Sequence, residues 1–164
     1  MIKKIMFIAA LAVASLYVVS CGKGSDAAST ICTNTPVATD SMALVNFATA
    51  NNITTTKDAS GMYFQIVSSG TGATSPNGNS LVEVTYKGTL LNGTVFDSTA
   101  AGKTASFYLN QLIGGWQIGL PKIKAGGRIK MLIPSALAYG CQGAGTSIPS
   151  NAPIFFDVTL VSFQ

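Results

Sequence analysis

The chain is 164 residues long, with ten Lys plus Arg against six Asp plus Glu, three cysteines and no histidine. Without an imidazole there is no Ser-His-Asp or Cys-His nucleophile and no His-ligated metal. A single glutamate, Glu83, argues against a paired-carboxylate mechanism, and three thiols fall short of a four-cysteine zinc site, so neither metal nor cofactor is expected. The formal charge of +4 includes Lys3 and Lys4, and the +2 left beyond residue 20 is too weak and dispersed to argue for nucleic acid.

Residues 1–20 read Met-Ile-Lys-Lys followed by an apolar run to Val19 broken only by Ser15. At about 1.5 Å per residue that run covers roughly 22 Å, short of the roughly 30 Å hydrocarbon core, so it reads as a signal peptide and not as a span. Val18-Val19-Ser20-Cys21-Gly22 resembles the lipobox of bacterial lipoproteins, which implies acylation of Cys21. The alternative is an ordinary leader followed by a chance cysteine. Two or three acyl chains anchor stably where one does not. Residues 21–38 are small and polar at first and are expected to form a flexible tether, leaving residues 39–164 as one domain with its core at about 60–164.

Beyond Thr39-Asp40, the stretch Ser41 to Asn51 places Met42, Val45 and Ala48 on one side with Leu44 and Phe47 beside it, which predicts a short helix capped by Asp or Thr. Met62 to Val67 is strand-like, and Gly- and Asn-rich turns follow. Leu81 to Leu91 alternates Val82, Val84 and Tyr86 against Glu83, Thr85 and Lys87; Asn92-Gly93 supplies a hairpin turn into Thr94 to Asp97. Phe107 to Leu109 is a further strand. Leu112, Ile113, Trp116 and Leu120 then recur at helical spacing over Gln111 to Ile123, where Gly114-Gly115 and Pro121 limit the helix to about two turns. Arg128 to Ile133 alternates again, Pro134 stops it, Gly140 to Gly145 reads as a mobile loop, and Ile154 to Phe163 closes the chain. The predicted class is α+β: a curved, half-open antiparallel sheet wrapped around one short helix, with a short N-terminal helix.

Several segments, in order, resemble the FKBP-type peptidyl-prolyl cis-trans isomerases over Ser60 to Phe163. They are Val84-Thr85-Tyr86-Lys87-Gly88-Thr89-Leu90, Asn92-Gly93-Thr94-Val95-Phe96-Asp97-Ser98, Leu112-Ile113-Gly114-Gly115-Trp116, Ile133-Pro134, Leu137-Ala138-Tyr139-Gly140, Ile148-Pro149 and Phe155-Phe156-Asp157-Val158. Each alone is weak; their order and spacing together are specific. The resemblance implies a half-open sheet around a short helix and rotation of the X-Pro amide without covalent or acid-base chemistry.

That chemistry suits a chain without histidine. Rotation about X-Pro is slow because amide resonance must be broken. At the twisted midpoint the amide is less dipolar, so a water-poor pocket binds it better than the planar forms. By resemblance, Tyr86, Phe96, Leu112, Ile113, Trp116, Tyr139 and Phe156 line the pocket, with Trp116 as its floor. The Ile113 backbone N-H and the Tyr139 hydroxyl are the expected donors to substrate, and Ile148 is expected on a flap over the site. Ordinary core packing is the competing reading for each apolar member. Asp97 reads either as the acceptor for the Tyr86 hydroxyl or as a turn residue.

Three departures from the family pattern bear on the level of activity. The next cation after Asp97 is Lys103, whose ammonium lacks a guanidinium's bidentate grip. At Thr104-Ala105-Ser106-Phe107 an aromatic wall residue is missing; Phe107 reads either as a substrate-binding residue of the wall or as facing the core, which leaves a wider pocket. Ser147 makes the flap before Ile148 less apolar.

With Cys21 acylated, Cys32 and Cys141 remain, and export favours persistence of disulfides. A Cys32 to Cys141 bridge is expected to pin the tether to the flap loop; two free thiols are the alternative. Implied partners are proline-containing unfolded or exported polypeptides, a membrane through the lipid anchor, and macrolide inhibitors, with a monomer as the default state. The implied location is the bacterial cell envelope, at the outer membrane and facing periplasm or cell surface, because no acidic residue follows Cys21 directly. A non-catalytic peptide-binding or holdase module and a purely structural envelope lipoprotein are the competing readings.

Overall fold

The computed structural model describes residues 32–164. The leader, Cys21 and the tether before Cys32 lie outside the described residues. The first helix, α1, runs from Val37 to Ala50, four residues earlier than its pattern suggests and inside the stretch expected as tether. Pro36, with φ −56° and ψ 139°, stands in extended conformation at its N-cap, and no side chain caps the first turn. The predicted cap, Asp40, lies within that turn and is buried. Its carboxylate accepts the Ser135 backbone N–H and hydroxyl, both at 2.7 Å. Met42 is 72% and Val45 40% exposed, so of the side read as apolar only Ala48 is buried. The buried face is Asp40, Leu44 and Ala48.

The strands are β1 (Thr56–Lys57), β2 (Tyr63–Ser68), β3 (Leu81–Leu90), β4 (Val95–Ser98) and β5 (Ala105–Tyr108), then helix α2 (Gly114–Gly119), β6 (Arg128–Ile133) and β7 (Ile154–Phe163). Every pairing is antiparallel, in the order β1-β2-β6-β7-β3-β4. Strand β3 is long enough to pair β7 along its whole length and to share its other edge between β5, at Leu81 to Val84, and β4, at Lys87 to Thr89. The expected antiparallel sheet around a short helix is present, with β1 as an element the pattern missed.

Alternation sorts the side chains as a period of two requires. Ile129, Met131 and Ile133 from β6 point inward with Ile154, Phe156, Val158 and Leu160 from β7 and Val82 and Val84 from β3, and α2 packs on this inner face. On the outer face Leu132 is nevertheless fully buried, because α1 covers it with Leu44, Ala48 and Ile53 and with Phe47 and Phe155 at the margin. Arg128 grips Asp157 bidentately there, at 2.8 and 2.7 Å.

The helix predicted over Gln111 to Ile123 is three pieces: a 3-10 turn at Leu109–Gln111, α2, and a second 3-10 turn at Leu120–Lys122. Leu112 is extended, with φ −89° and ψ 168°, and Pro121 withholds an amide N–H, so an unbroken helix is excluded. Glycine gives α2 its close seat. A Cβ on Gly115 would come within 2.6 Å of Ile133, and one on Gly119 would overlap the Met131 sulfur. Being one turn apart, the two glycines lower the helix onto β6 and leave Trp116 at its start.

The stretch read as a mobile loop is tied down. After Pro134 come 3-10 turns at Ser135–Leu137 and Gly140–Gln142, and Ala144 and Ile148 exchange backbone hydrogen bonds at 2.9 and 3.1 Å. Cys141 is disulfide-bonded to Cys32, their Cα atoms 5.4 Å apart.

Candidate active site

On the inner face, α2 and the centre of the sheet leave a hollow of about 170 Å³ lined by Tyr86, Asp97, Phe107, Leu112, Ile113, Trp116, Tyr139 and Phe156. Its floor is an aromatic cluster. The Trp116 ring lies 5.1 Å from Phe156 at 90°, 5.4 Å from Tyr86 at 82° and 6.4 Å from Phe107 at 87°, all edge-to-face. Trp116 itself is 3% exposed. Its indole Nε1–H is the buried side-chain polar atom without a hydrogen-bond partner among the described residues.

The strands place these rings by register. Tyr86 and Phe156 come from neighbouring strands, two rungs offset on the same face, since Tyr86 pairs with Val158 and Gly88 with Phe156. Phe96, on β4, meets Phe156 edge-on at 5.4 Å and does not itself line the hollow. Gly88 makes room for both: a Cβ there would stand 2.6 Å from Phe156 and 2.7 Å from Phe96. This requirement for glycine was not drawn from the sequence, although the Tyr-Lys-Gly step inside a strand signals close approach.

Of the two readings of Phe107, the structure has the one at the wall and not the one in the core. Its ring faces the hollow, 6.2 Å from Tyr86, so the wall thinned by Thr104-Ala105-Ser106 is filled from this position and not opened. Ile148 also differs in placement: it is 3% exposed, belongs to the inner core and is absent from the lining of the hollow.

Polar groups are few. The Tyr86 hydroxyl donates to Asp97 Oδ2 at 2.7 Å. Burial, then the hydrogen bond and charge of Asp97, push the Tyr86 phenol well above its ordinary range. Burial first and the Asp97 charge second raise Tyr139 as well. Lys103 forms no ion pair with Asp97. Neither the Tyr139 hydroxyl nor the Ile113 backbone N–H donates to any group among the described residues, and the Ile113 amide sits at the N-cap of α2, where intrahelical partners are lacking. The site therefore offers two free donors, an aromatic floor and one carboxylate already engaged. Such a set can desolvate and orient an amide; it holds no base placed for proton abstraction.

A larger hollow of about 590 Å³ lies on the outer face and is lined largely by threonines and by Lys87, Lys130, Arg128 and Asp157. Its rings are Tyr86 and the Phe47–Phe155 pair, with no cluster like the one around Trp116, so the smaller inner hollow is the better candidate despite its size.

Residues 72–161 match the family model described as FKBP-type peptidyl-prolyl cis-trans isomerase. The chain is 46% identical over 106 residues to the FKBP-type peptidyl-prolyl cis-trans isomerase FkpA of Aeromonas hydrophila, covering 64% of this chain and 39% of that one. It is 42% identical over 106 residues to the outer membrane protein MIP of Legionella longbeachae, covering 64% of this chain and 45% of that one. The chain thus spans less than half the length of these relatives. Among solved structures, FkpA from Escherichia coli superposes with a TM-score of 0.68 at 35% identity, over 78% of this chain and 61% of that one. A peptidyl-prolyl cis-trans isomerase from Pseudomonas syringae pv. tomato gives 0.65 at 30% identity, over 80% and 98%. By the match of its sequence across the sheet, the pocket and the closing strand, the chain belongs to the FKBP-type peptidyl-prolyl cis-trans isomerase family.

Proposed function

We propose that this chain is a peptidyl-prolyl cis-trans isomerase that assists the folding of exported proteins in the bacterial cell envelope. The observation that carries the reading is the aromatic hollow with two unengaged donors. At about 170 Å³ it is smaller than the roughly 300–1,000 Å³ of a drug-sized site and suits a single pyrrolidine ring. A proline ring resting on Trp116 between Phe156, Tyr86 and Phe107 would leave water behind. The Ile113 N–H and the Tyr139 hydroxyl would hold the flanking backbone. Asp97 would keep the Tyr86 hydroxyl turned away from the ring and bias the field near the rotating carbonyl.

Acceleration comes from preferring the less dipolar, twisted amide to the planar one; about 8 kcal/mol of such preference gives a millionfold. Phe96 supports Phe156 from behind, Leu112 closes one side, and Ile148 anchors the loop carrying the flap. A holdase that binds such segments without turnover would use the same hollow and the same donors, and only turnover separates the two.

Acylation at Cys21 would tether the domain to the outer membrane, facing the periplasm or the cell surface, with residues 1–20 removed. The composition of the leader and the Ser20-Cys21 step support this, as does the likeness to a protein named as an outer membrane protein. No helix among the described residues is long and apolar enough to cross a membrane. Macrolides that fill a proline-sized aromatic site would compete with substrate, and a monomer is the proposed state.

The test is a protease-coupled proline-peptide assay on the chain purified in detergent. Accelerated cis to trans conversion, lost in Trp116→Ala at unchanged fold, is the expected result; peptide binding without acceleration would overturn isomerisation in favour of the holdase.

A further inference from the structure

The segment ahead of the family-matched region touches the loop that carries Tyr139 at two points that bracket it. Before Tyr139, Asp40 Oδ2 accepts both the backbone N–H and the hydroxyl of Ser135 at 2.7 Å, in a contact where Asp40 is 7% exposed and Ser135 fully buried. After Tyr139, Cys32 is bridged to Cys141, and the Cys141 N–H donates to Asn34 Oδ1 at 2.8 Å. The Asn34 amide lies so close to Gly140, which has φ +56°, that no Cβ fits there. Asn151 closes the arrangement: its N–H donates to the Gly140 carbonyl at 2.8 Å, while its side-chain oxygen accepts the Thr35 N–H at 3.0 Å.

We propose that the Cys32 to Asp40 arm is a clamp that sets the place of the Tyr139 hydroxyl, and that Asp40 is a positioning residue for the isomerase reaction; this rests on the isomerase reading above. Tyr139 stands near the middle of a seven-residue loop held at both ends by the arm and carries a hydroxyl that makes no bond of its own among the described residues. Its place is therefore set by the packing of the ring against the inner core and by the backbone on either side of it. A buried carboxylate spending one oxygen on two donors of a single residue fixes that backbone more tightly than one neutral bond would. A donor displaced by as little as about 1 Å from the path of the rotating carbonyl loses much of its effect.

The assay uses the full chain in detergent, at a temperature where all variants are folded by circular dichroism. Asp40→Ala is expected to lower kcat/KM about tenfold. Asp40→Asn, whose amide oxygen can still accept both Ser135 donors, is expected to stay within about twofold of the parent. In a Tyr139→Phe background, Asp40→Ala should cost nothing further, since the hydroxyl it places is gone. Hydrogen exchange of a peptide covering residues 135–141, on the same samples, should quicken in Asp40→Ala and in Cys32→Ser but not in Asp40→Asn. Unchanged exchange in Asp40→Ala, or the same loss of activity with and without the Tyr139 hydroxyl, overturns the clamp. An inactive parent whose exchange still quickens only in the clamp-breaking variants overturns the isomerase reading and leaves the clamp standing.

Discussion

The Tyr86 hydroxyl donates to Asp97 Oδ2 at 2.7 Å while the Tyr86 ring meets Trp116 edge-on at 5.4 Å, so one side chain is both wall of the hollow and holder of its only carboxylate. This bond is exposed, so removing the acceptor hands the phenol to water without disturbing the rings. Asp97→Ala is expected to cost roughly 0.5–1.5 kcal/mol of stability and to lower kcat/KM about tenfold. Asp97→Asn, which keeps an acceptor oxygen, should fall between the two. Thermal melts and the proline-peptide assay on the same preparations check both.

The pH profile of the reaction should be flat from about pH 6 to 9, since the chain has no histidine and both Tyr86 and Tyr139 are raised above the usual phenol value of about 10. For a group whose folded value lies above its unfolded one, stability is complete below the unfolded value and declines as pH rises past it. Denaturant midpoints should accordingly begin to fall above about pH 10, and replacing Tyr86 with Phe should reduce that slope.

Acid behaves oppositely at Asp58. Its hydrogen bond with Lys122 at 2.7 Å, then those with Ser60, lower the carboxyl from 3.8 to about 2. The stability it contributes is present above the unfolded value and is lost as pH falls through the window between those two numbers. Urea midpoints in that window should decline less steeply in Asp58→Asn than in the parent.

Gly88 offers the sharpest test of the pocket walls. A methyl there would drive into the Phe156 and Phe96 rings at 2.6–2.7 Å, and stiff rings yield less readily than aliphatic tails. Gly88→Ala should cost about 1–3 kcal/mol by overpacking. It should also tilt Phe156 over Trp116, depressing kcat/KM more than Gly115→Ala, a change of similar size that presses on Ile133 instead.

Trp116 carries a buried indole N–H with no partner among the described residues, a group that costs roughly 1–3 kcal/mol to leave unmade. Trp116→Phe keeps a flat floor without that N–H. It should melt no lower than the parent by more than about 1 kcal/mol while binding proline peptides more weakly through the lost area. Phe96→Ala, in contrast, removes support behind Phe156 and should lower both stability and turnover.

Where burial on one face alone decided a segment, the sequence was readable. Arg128 to Ile133 and Ile154 to Phe163 have the bounds their alternation suggests; of the rings singled out for the pocket, Tyr86, Trp116, Tyr139 and Phe156 meet in one hollow while Phe96 stands behind it. The rest depended on contacts far apart in the chain. Leu132 looks like an outward residue and is buried only because α1 lies over it. Asp40 looks like a helix cap, and its partner Ser135 is 95 residues away. The supposed loop at Gly140 is fastened by Cys32, whose pairing with Cys141 the cysteine count suggests, and by Asn34 and Asn151, which give no local signal. The two-residue β1 is too short for any periodicity to register.

The bridge from Cys32 to Cys141 spans 109 positions and encloses most of the domain, including the exposed stretches Thr71 to Ala73 and Asn77 to Asn79. A protease that clips the backbone anywhere inside this span releases nothing. The two pieces stay one covalent particle through dilution and denaturant, free to find each other again, and separate on a gel only when a reductant is added.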